Sequence, residues 1–438
     1  MNKAQRSQRI AGTASQMVQA PRLGRNLFAM IAWQIGNYLV PLATFPYLTR
    51  MLGPTNFGIL GYASAIAVYG VMWTDWGFNL SGPRAVVECR GDKTAINELI
   101  WSVMFAKALL CLVSLLALGV TIRFDKHAAA VLPVVLTSWI AVVSNVFTLN
   151  WVLQGLERFS LFATVSLLGR LATLPLIFVF VKSVDDIAIA AAIQASAPFL
   201  TGFFSLLMVR KLGLLGRPTL AWRQAWRRLR QGVDMFLSTI SVSLFGVTNT
   251  VLLAALGNPY QVGLYVAADR IKTVGNMVPA QINTVLYPRV SALMLDRPRA
   301  GAKLTALGAV ATLAITGVGV LVVSMLSGYV TNVILGRGFG EAAPVLTLLC
   351  LATVFGNLAY LLGLQVLVPF KNGRLRSIVM LVAGFLNIGL SFVLIPHFGA
   401  RGAAWSFLVA EVVIFTVFVA VVWGSPRMRA HFTQLLRA

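Results

Sequence analysis

Residues 58–84 read GILGYASAIAVYGVMWTDWGFNLSGPR. The first sixteen of these, Gly58 to Trp73, carry no charge. At about 1.5 Å of helical rise per residue they cover most of a hydrocarbon core about 30 Å thick. Asp75 then interrupts the run, followed by Gly77, Asn79, Ser81, Gly82 and Pro83, residues that loosen or end a helix, and by Arg84. The stretch reads as the end of a membrane helix. A carboxylate at that depth is costly unless it pairs or faces a cavity, so Asp75 calls for a partner.

The rest of the chain repeats the pattern. Of 438 residues, 58% are hydrophobic and 11% charged, with a mean hydropathy of +0.81. A soluble domain carries about 25% charged residues. Uncharged runs of roughly 20 residues recur from Leu27 to Trp423. They place twelve spans near 26–49, 56–80, 97–121, 128–153, 159–181, 186–209, 233–256, 261–290, 304–328, 342–368, 375–396 and 402–424. The expected class is an all-α polytopic membrane protein. Short alternating strands are absent from the pattern, which argues against an outer-membrane barrel.

Charge sets the orientation. There are 36 Lys and Arg against 13 Asp and Glu, for a net charge of +23. With the N-terminus inside, 26 of the 36 basic residues fall in inside loops, 6 in outside loops and 4 within spans. This asymmetry predicts cytoplasmic N- and C-termini. It explains the basic balance by topology and anionic lipid, with no call for nucleic acid.

Segment 133–209 resembles 344–423. Leu52-Gly-Pro…Phe57-Gly-Ile-Leu-Gly-Tyr likewise matches Leu256-Gly-Asn-Pro…Val262-Gly-Leu-Tyr. Six spans separate the copies, which predicts a parallel repeat about an axis along the membrane normal. The expected organisation is a basic cytoplasmic tail (1–25), a six-helix lobe (26–210), an amphipathic cytoplasmic linker (211–232), a second six-helix lobe (233–424) and a cytoplasmic tail (425–438). In the linker, Trp222, Trp226 and Leu229 share a helical face among arginines. That suits a helix in the interface, sliding with the lobes or serving as a static anchor.

Inside the spans, Lys107 falls at the depth of Asp75 and is its candidate partner, either as a brace or as a pair that opens during transport. Lys107, Arg170, Arg270 and Lys272 outnumber Asp75, Asp269 and Glu411, and Arg50 and Arg289 flank the mouths. Guanidinium grips phosphate through two parallel hydrogen bonds, so this balance suits an anionic substrate. Asp269 and Glu411 are candidates for ion pairing or for a coupling ion. Polar neutral residues recur in the spans, among them Asn145, Asn249, Asn276, Asn283, Asn357 and Gln365. They serve either as interhelical glue or as a sugar-compatible lining. The three cysteines and three histidines show no metal-ligand or disulfide spacing. No nucleotide loop, zinc-hydrolase motif or nucleophile elbow occurs. We therefore expect a transporter with no cofactor or metal, driven by an ion gradient, the membrane potential or substrate consumption.

Several ordered pieces carry a family resemblance: Asn37-Tyr-Leu-Val-Pro-Leu, Phe45-Pro-Tyr-Leu-Thr-Arg50, Thr74-Asp-Trp-Gly-Phe-Asn-Leu-Ser…Arg84, Trp101-Ser-Val…Lys107, Gln154-Gly-Leu-Glu-Arg158 and Leu286-Tyr-Pro-Arg289. Through them the chain resembles the bacterial polysaccharide transporters, the O-antigen and exopolysaccharide-unit flippases of the multidrug/oligosaccharidyl-lipid/polysaccharide exporter superfamily. The resemblance implies two six-helix lobes around a cationic cavity and alternating access in the inner membrane. It also implies an undecaprenyl-pyrophosphate-linked oligosaccharide as substrate. Arg50, Lys107, Arg170, Arg270 and Lys272 are the candidate ligands for the pyrophosphate. Besides membrane lipids, a polysaccharide polymerase and a chain-length regulator are the expected partners. A cation-coupled drug antiporter using Asp75, Asp269 and Glu411 is the alternative within the superfamily. A membrane polymerase is a further one, disfavoured because the outside loops are short.

Overall fold

The computed structural model describes residues 3–124, 131–219 and 222–430, with side chains from Ala32 onward except at 237–245 and a few single positions. Lys126, His127 and His431 lie outside the described residues. Among those described, the chain is helical throughout, with no strand.

The first helix, α1, runs Lys3–Asp75 and is broken at Gly53, with φ 69° and ψ 173°. Two effects place the break. The residue before Pro54 is pushed out of the helical region, and only glycine takes the positive φ without strain. The second break is the stretch that opens the sequence. Trp76 (φ 47°) and Gly77 (φ 77°) both turn left-handed, and α2 (Phe78–Glu88) starts afresh with Pro83 inside it. Helix α3 (Lys93–Phe124) is capped by Asp92, whose Oδ1 accepts from the N–H groups of Thr94 and Ala95 at 2.8 and 3.0 Å. The first half continues through α4 (Leu132–Phe147), α5 (Asn150–Gly155), α6 (Phe159–Leu171), α7 (Thr173–Phe180) and α8 (Ile187–Lys211).

The second half comprises α9 (Trp222–Gly246), α10 (Thr248–Leu256), α11 (Pro259–Gly275), α12 (Met277–Asp296), α13 (Pro298–Val330), α14 (Ala342–Leu362) and α15 (Gly373–Gly424). A second glycine kink, at Gly399 (φ 55°), divides α15. Among the described residues, 8 helical stretches are long and apolar enough to cross a bilayer. Two of them, Ala32–Glu88 (57 residues) and Gly373–Gly424 (52 residues), contain the kinks. Each is twice the length that a single crossing needs. The protein is therefore an all-helical, multi-pass membrane protein.

The sequence suggests a linker (211–232) distinct from the span at 233–256, whereas the structure runs one helix from Trp222 to Gly246. Its first turns are held by the first half. Ala225 and Leu229 are buried with Phe78, Val86, Ile96, Leu99 and Ile100. The Trp76 ring stacks on Phe236 with centroids 4.1 Å apart, and its indole N–H donates to the Leu229 carbonyl at 2.8 Å. Gly77 makes room for this seat, since a Cβ there would lie 2.6 Å from Met235 Cβ. The helix break after Asp75 is thus a docking point for α9.

Most of the polar residues named in the spans bond between helices. Asn249 contacts Asn387 (2.8 Å), Ser391 (3.3 Å), Tyr265 (3.3 Å) and the Ala403 carbonyl (3.2 Å), all fully buried or nearly so. Asn276 accepts from Asn357 at 2.6 Å and Asn283 from Gln365 at 3.1 Å. Such bonds act as glue worth about 0.6–2 kcal/mol each in a membrane.

Candidate functional site

A cavity with an empty volume of about 850 Å³ lies between α1, α6, α7 and α8 of the first half and α11 of the second. Its polar lining is Thr44, Ser64, Arg170, Thr173, Gln194 and Arg270, and the remainder is apolar, including Phe45, Leu48 and Phe57. Among the described residues, no carboxylate lines it. Arg170 stands on the last turn of α6 and donates to the Asn37 carbonyl at 3.4 Å. Arg270 reaches in from α11, and the two guanidinium groups repel one another across the space. Neither has a carboxylate partner within salt-bridge distance among the described residues. Arg170 is partly buried and Arg270 is exposed to the cavity, so both guanidinium groups are open to a bound dianion.

The structure brings Arg170 and Arg270 together and places the other candidates elsewhere. Lys107 is 1% exposed, packed inside the first half. Its ammonium reaches Asp75 Oδ1 at 3.4 Å and the Asn145 backbone and side-chain oxygens at 3.3 and 3.4 Å. Asn145 in turn donates to Thr74 Oγ1 at 3.1 Å. Lys272 pairs with Asp269 at 2.6 Å and lies 4.6 Å over the Phe407 ring. Glu411 packs against Gly356 and feels the Lys272 charge. Arg50 is exposed and donates to the Val333 carbonyl of the facing half.

The Asp75–Lys107 pair yields a stability prediction. Lys107→Met should destabilise the protein by about 3–5 kcal/mol, because it leaves Asp75 facing a dry interior alone. Asp75→Asn together with Lys107→Met should recover part of that loss, with a coupling of about 0.5–3 kcal/mol against the two single variants. Thermal unfolding of the purified variants measures it, and additive losses would rule out a coupled pair.

At the end that the charge distribution assigns to the outside, the halves meet closely. A Cβ on Gly58 would sit 1.8 Å from the Pro259 carbonyl oxygen, and one on Gly263 would sit 1.9 Å from that of Pro54. These are matching positions of the two Leu-Gly-(Asn)-Pro repeats, so the contact is reciprocal, as at a two-fold axis. The Phe57 and Phe339 rings pack edge to face there, and Phe339 is fully buried. Gln194, Thr44, Ser64 and Thr173 escape sequence reasoning as lining residues. Thr44 bonds back to Val40 on its own helix and Thr173 to the Arg170 carbonyl at the end of α6, local bonds of the kind most membrane hydroxyls make, so their type carries no signal.

Comparison with known proteins bears on the family and the fold. The family described as "Polysaccharide biosynthesis protein" matches residues 23–294. A relative from Escherichia coli (strain K12), named "Putative O-antigen transporter", is 32% identical over 90% of this chain and 94% of its own length. A protein of the same name from Shigella dysenteriae is 25% identical over 89% of this chain and 97% of its own. Two solved structures share the fold, each with a TM-score of 0.69. One is the inward-facing conformation of a multidrug resistance MATE family transporter of the MOP superfamily, at 15% identity over 92% of this chain and 98% of that one. The other is the lipid II flippase MurJ in an inward closed conformation, at 12% identity over 90% and 87%. With the sequence match covering well over half its length, the chain belongs to the polysaccharide biosynthesis protein family of O-antigen-type transporters.

Proposed function

We propose that this protein is a flippase. Its cargo is an undecaprenyl-pyrophosphate-linked oligosaccharide repeat unit, carried from the cytoplasmic to the periplasmic leaflet of a bacterial inner membrane for O-antigen, capsule or exopolysaccharide synthesis. The observation that carries this reading is the cavity between the halves, where Arg170 and Arg270 from different halves face one another without a carboxylate. A pyrophosphate has the charge and oxygen geometry to bridge two guanidinium groups. The hydroxyl and amide groups of Thr44, Ser64, Thr173 and Gln194 suit the first sugar, while the polyprenyl tail remains in lipid. The names of the relatives support the same substrate class.

Alternating access follows from the two ends. The Gly58–Gly263 crossing closes the outer end, so cargo enters from the cytoplasm. Parting that crossing while the inner ends close would deliver it outward. In this reading twelve crossings form two parallel lobes of six, with both termini in the cytoplasm. The stretches 222–256 and 259–296 then supply two crossings beyond the most apolar ones, and the two kinked helices supply two each. Arg50 serves the outer seam rather than the pyrophosphate, whereas Lys107, Lys272 and Asp269 hold their own halves together. The cation antiporter is the weaker reading, because the cavity lining offers no carboxylate to a cationic drug.

A strain lacking the protein should accumulate single lipid-linked repeat units on the cytoplasmic leaflet. Probing leaflet exposure with a membrane-impermeant lectin or oxidant measures this. Accumulation on the periplasmic leaflet would instead assign the protein to polymerisation.

A further inference from the structure

A second cavity, with an empty volume of about 650 Å³, lies at the inner end between α2, α3 and the first turns of α9. It is lined by Cys89, Ala95, Glu98 and Leu99 on one side and by Gln224, Arg227, Arg228 and Gln231 on the other. Glu98 is turned toward Gln224, whose amide donates to it at 3.3 Å. Neither Arg227 nor Arg228 has an ion-pair or hydrogen-bond partner among the described residues. Two adjacent guanidinium groups therefore line one space with their donors free, beside the amides of Gln224 and Gln231. One turn away on the same helix, Trp222 and Trp226 are 51% and 48% exposed and lie nearly parallel, with Arg230 over the Trp226 ring at 5.5 Å. Exposed indoles on an arginine-rich helix mark the headgroup level of a bilayer. The cavity thus opens where lipid phosphates lie, on the face that collects most of the basic residues.

We infer that this cavity is a binding site for the phosphate headgroup of an anionic phospholipid of the cytoplasmic leaflet, gripped by Arg227 and Arg228. The site is separate from the transport cavity and does not depend on the transport reading. Its floor is the part of α9 that seats Trp76, so an occupied site clamps α9 onto the break in α1. Bound lipid should therefore stabilise the whole chain, since a ligand that favours the folded state raises its unfolding temperature.

The test uses the full-length protein in nanodiscs of phosphatidylcholine alone or with added phosphatidylglycerol. Phosphatidylglycerol should raise the unfolding temperature of the parent by several degrees. Arg227→Gln with Arg228→Gln should abolish that rise while leaving the value in phosphatidylcholine unchanged. Arg223→Gln with Arg230→Gln, which removes the same charge outside the cavity, should keep it. Should the first pair fail to fold, Gln231→Trp fills the cavity from an exposed position and should give the same loss. Three results would each overturn the proposal: no rise in the parent, equal loss in both arginine pairs (diffuse surface charge only), or equal stabilisation by millimolar inorganic phosphate in phosphatidylcholine (a free-phosphate site).

Discussion

Arg170→Ala and Arg270→Ala are each expected to cut export of surface polysaccharide by at least about tenfold while the protein still inserts and folds. The magnitude follows from hydrogen bonds to charged groups, worth about 1.5–3 kcal/mol each, where 1.4 kcal/mol is about tenfold. Lysine replacements should be intermediate, because the charge survives and the planar fork does not. The same variants carry an opposite expectation for stability. The two guanidinium groups repel one another across the cavity, with Arg170 partly buried. Removing one should leave the unfolding temperature unchanged or higher, the trade expected where function retains strained charge. Quantifying surface polysaccharide in a complemented deletion strain, beside thermal unfolding of the purified variants, measures both. Normal export in both alanine variants would remove these residues from the site.

The second large effect is expected at Gly58. A valine there would drive its Cβ into the Pro259 carbonyl oxygen, 1.8 Å away, with the Gly263 backbone nitrogen 2.7 Å away. Backbone cannot step aside as a side chain can, so α1 and α11 must separate and the outer seal opens. Gly61 one turn on is a built-in comparison. A Cβ there meets only the Val266 side chain at 3.0–3.3 Å, so Gly61→Ala should be mild. Labelling reads the difference. In a chain with Cys89, Cys111 and Cys350 replaced by serine, Ser64→Cys in the cavity should resist an impermeant maleimide added outside. Adding Gly58→Val should make it reactive and abolish flipping. Continued protection with normal flipping would show that the crossing is not a gate.

Much of this molecule was legible along the chain. The apolar helical spans are a property of local composition. The glycine-proline kink at Gly53 also follows from its own backbone chemistry. The Asp75–Lys107 partnership was readable because a buried carboxylate and a buried ammonium at equal depth have few other solutions. The α9 helix was half legible. Its tryptophans and arginines announced an interfacial face, but the continuity of α9 with the next span depends on Trp76, Phe236 and Leu229 meeting in space.

The sequence by itself determined a multi-pass helical protein of the polysaccharide transporter kind, with a cation-rich interior. Only the tertiary structure decided which cations share a cavity. Arg270 and Lys272 are two residues apart, yet one faces Arg170 and the other is tied to Asp269. The reason lies in the solvent. Lipid-facing and protein-facing sides of these helices are almost equally apolar, and only 17–56% of each apolar span window is buried inside the protein. A helix without a polar face gives no signal of its rotation. Packing of small residues, such as Gly58 against Gly263, sets that rotation instead, and with it the two arginines that meet.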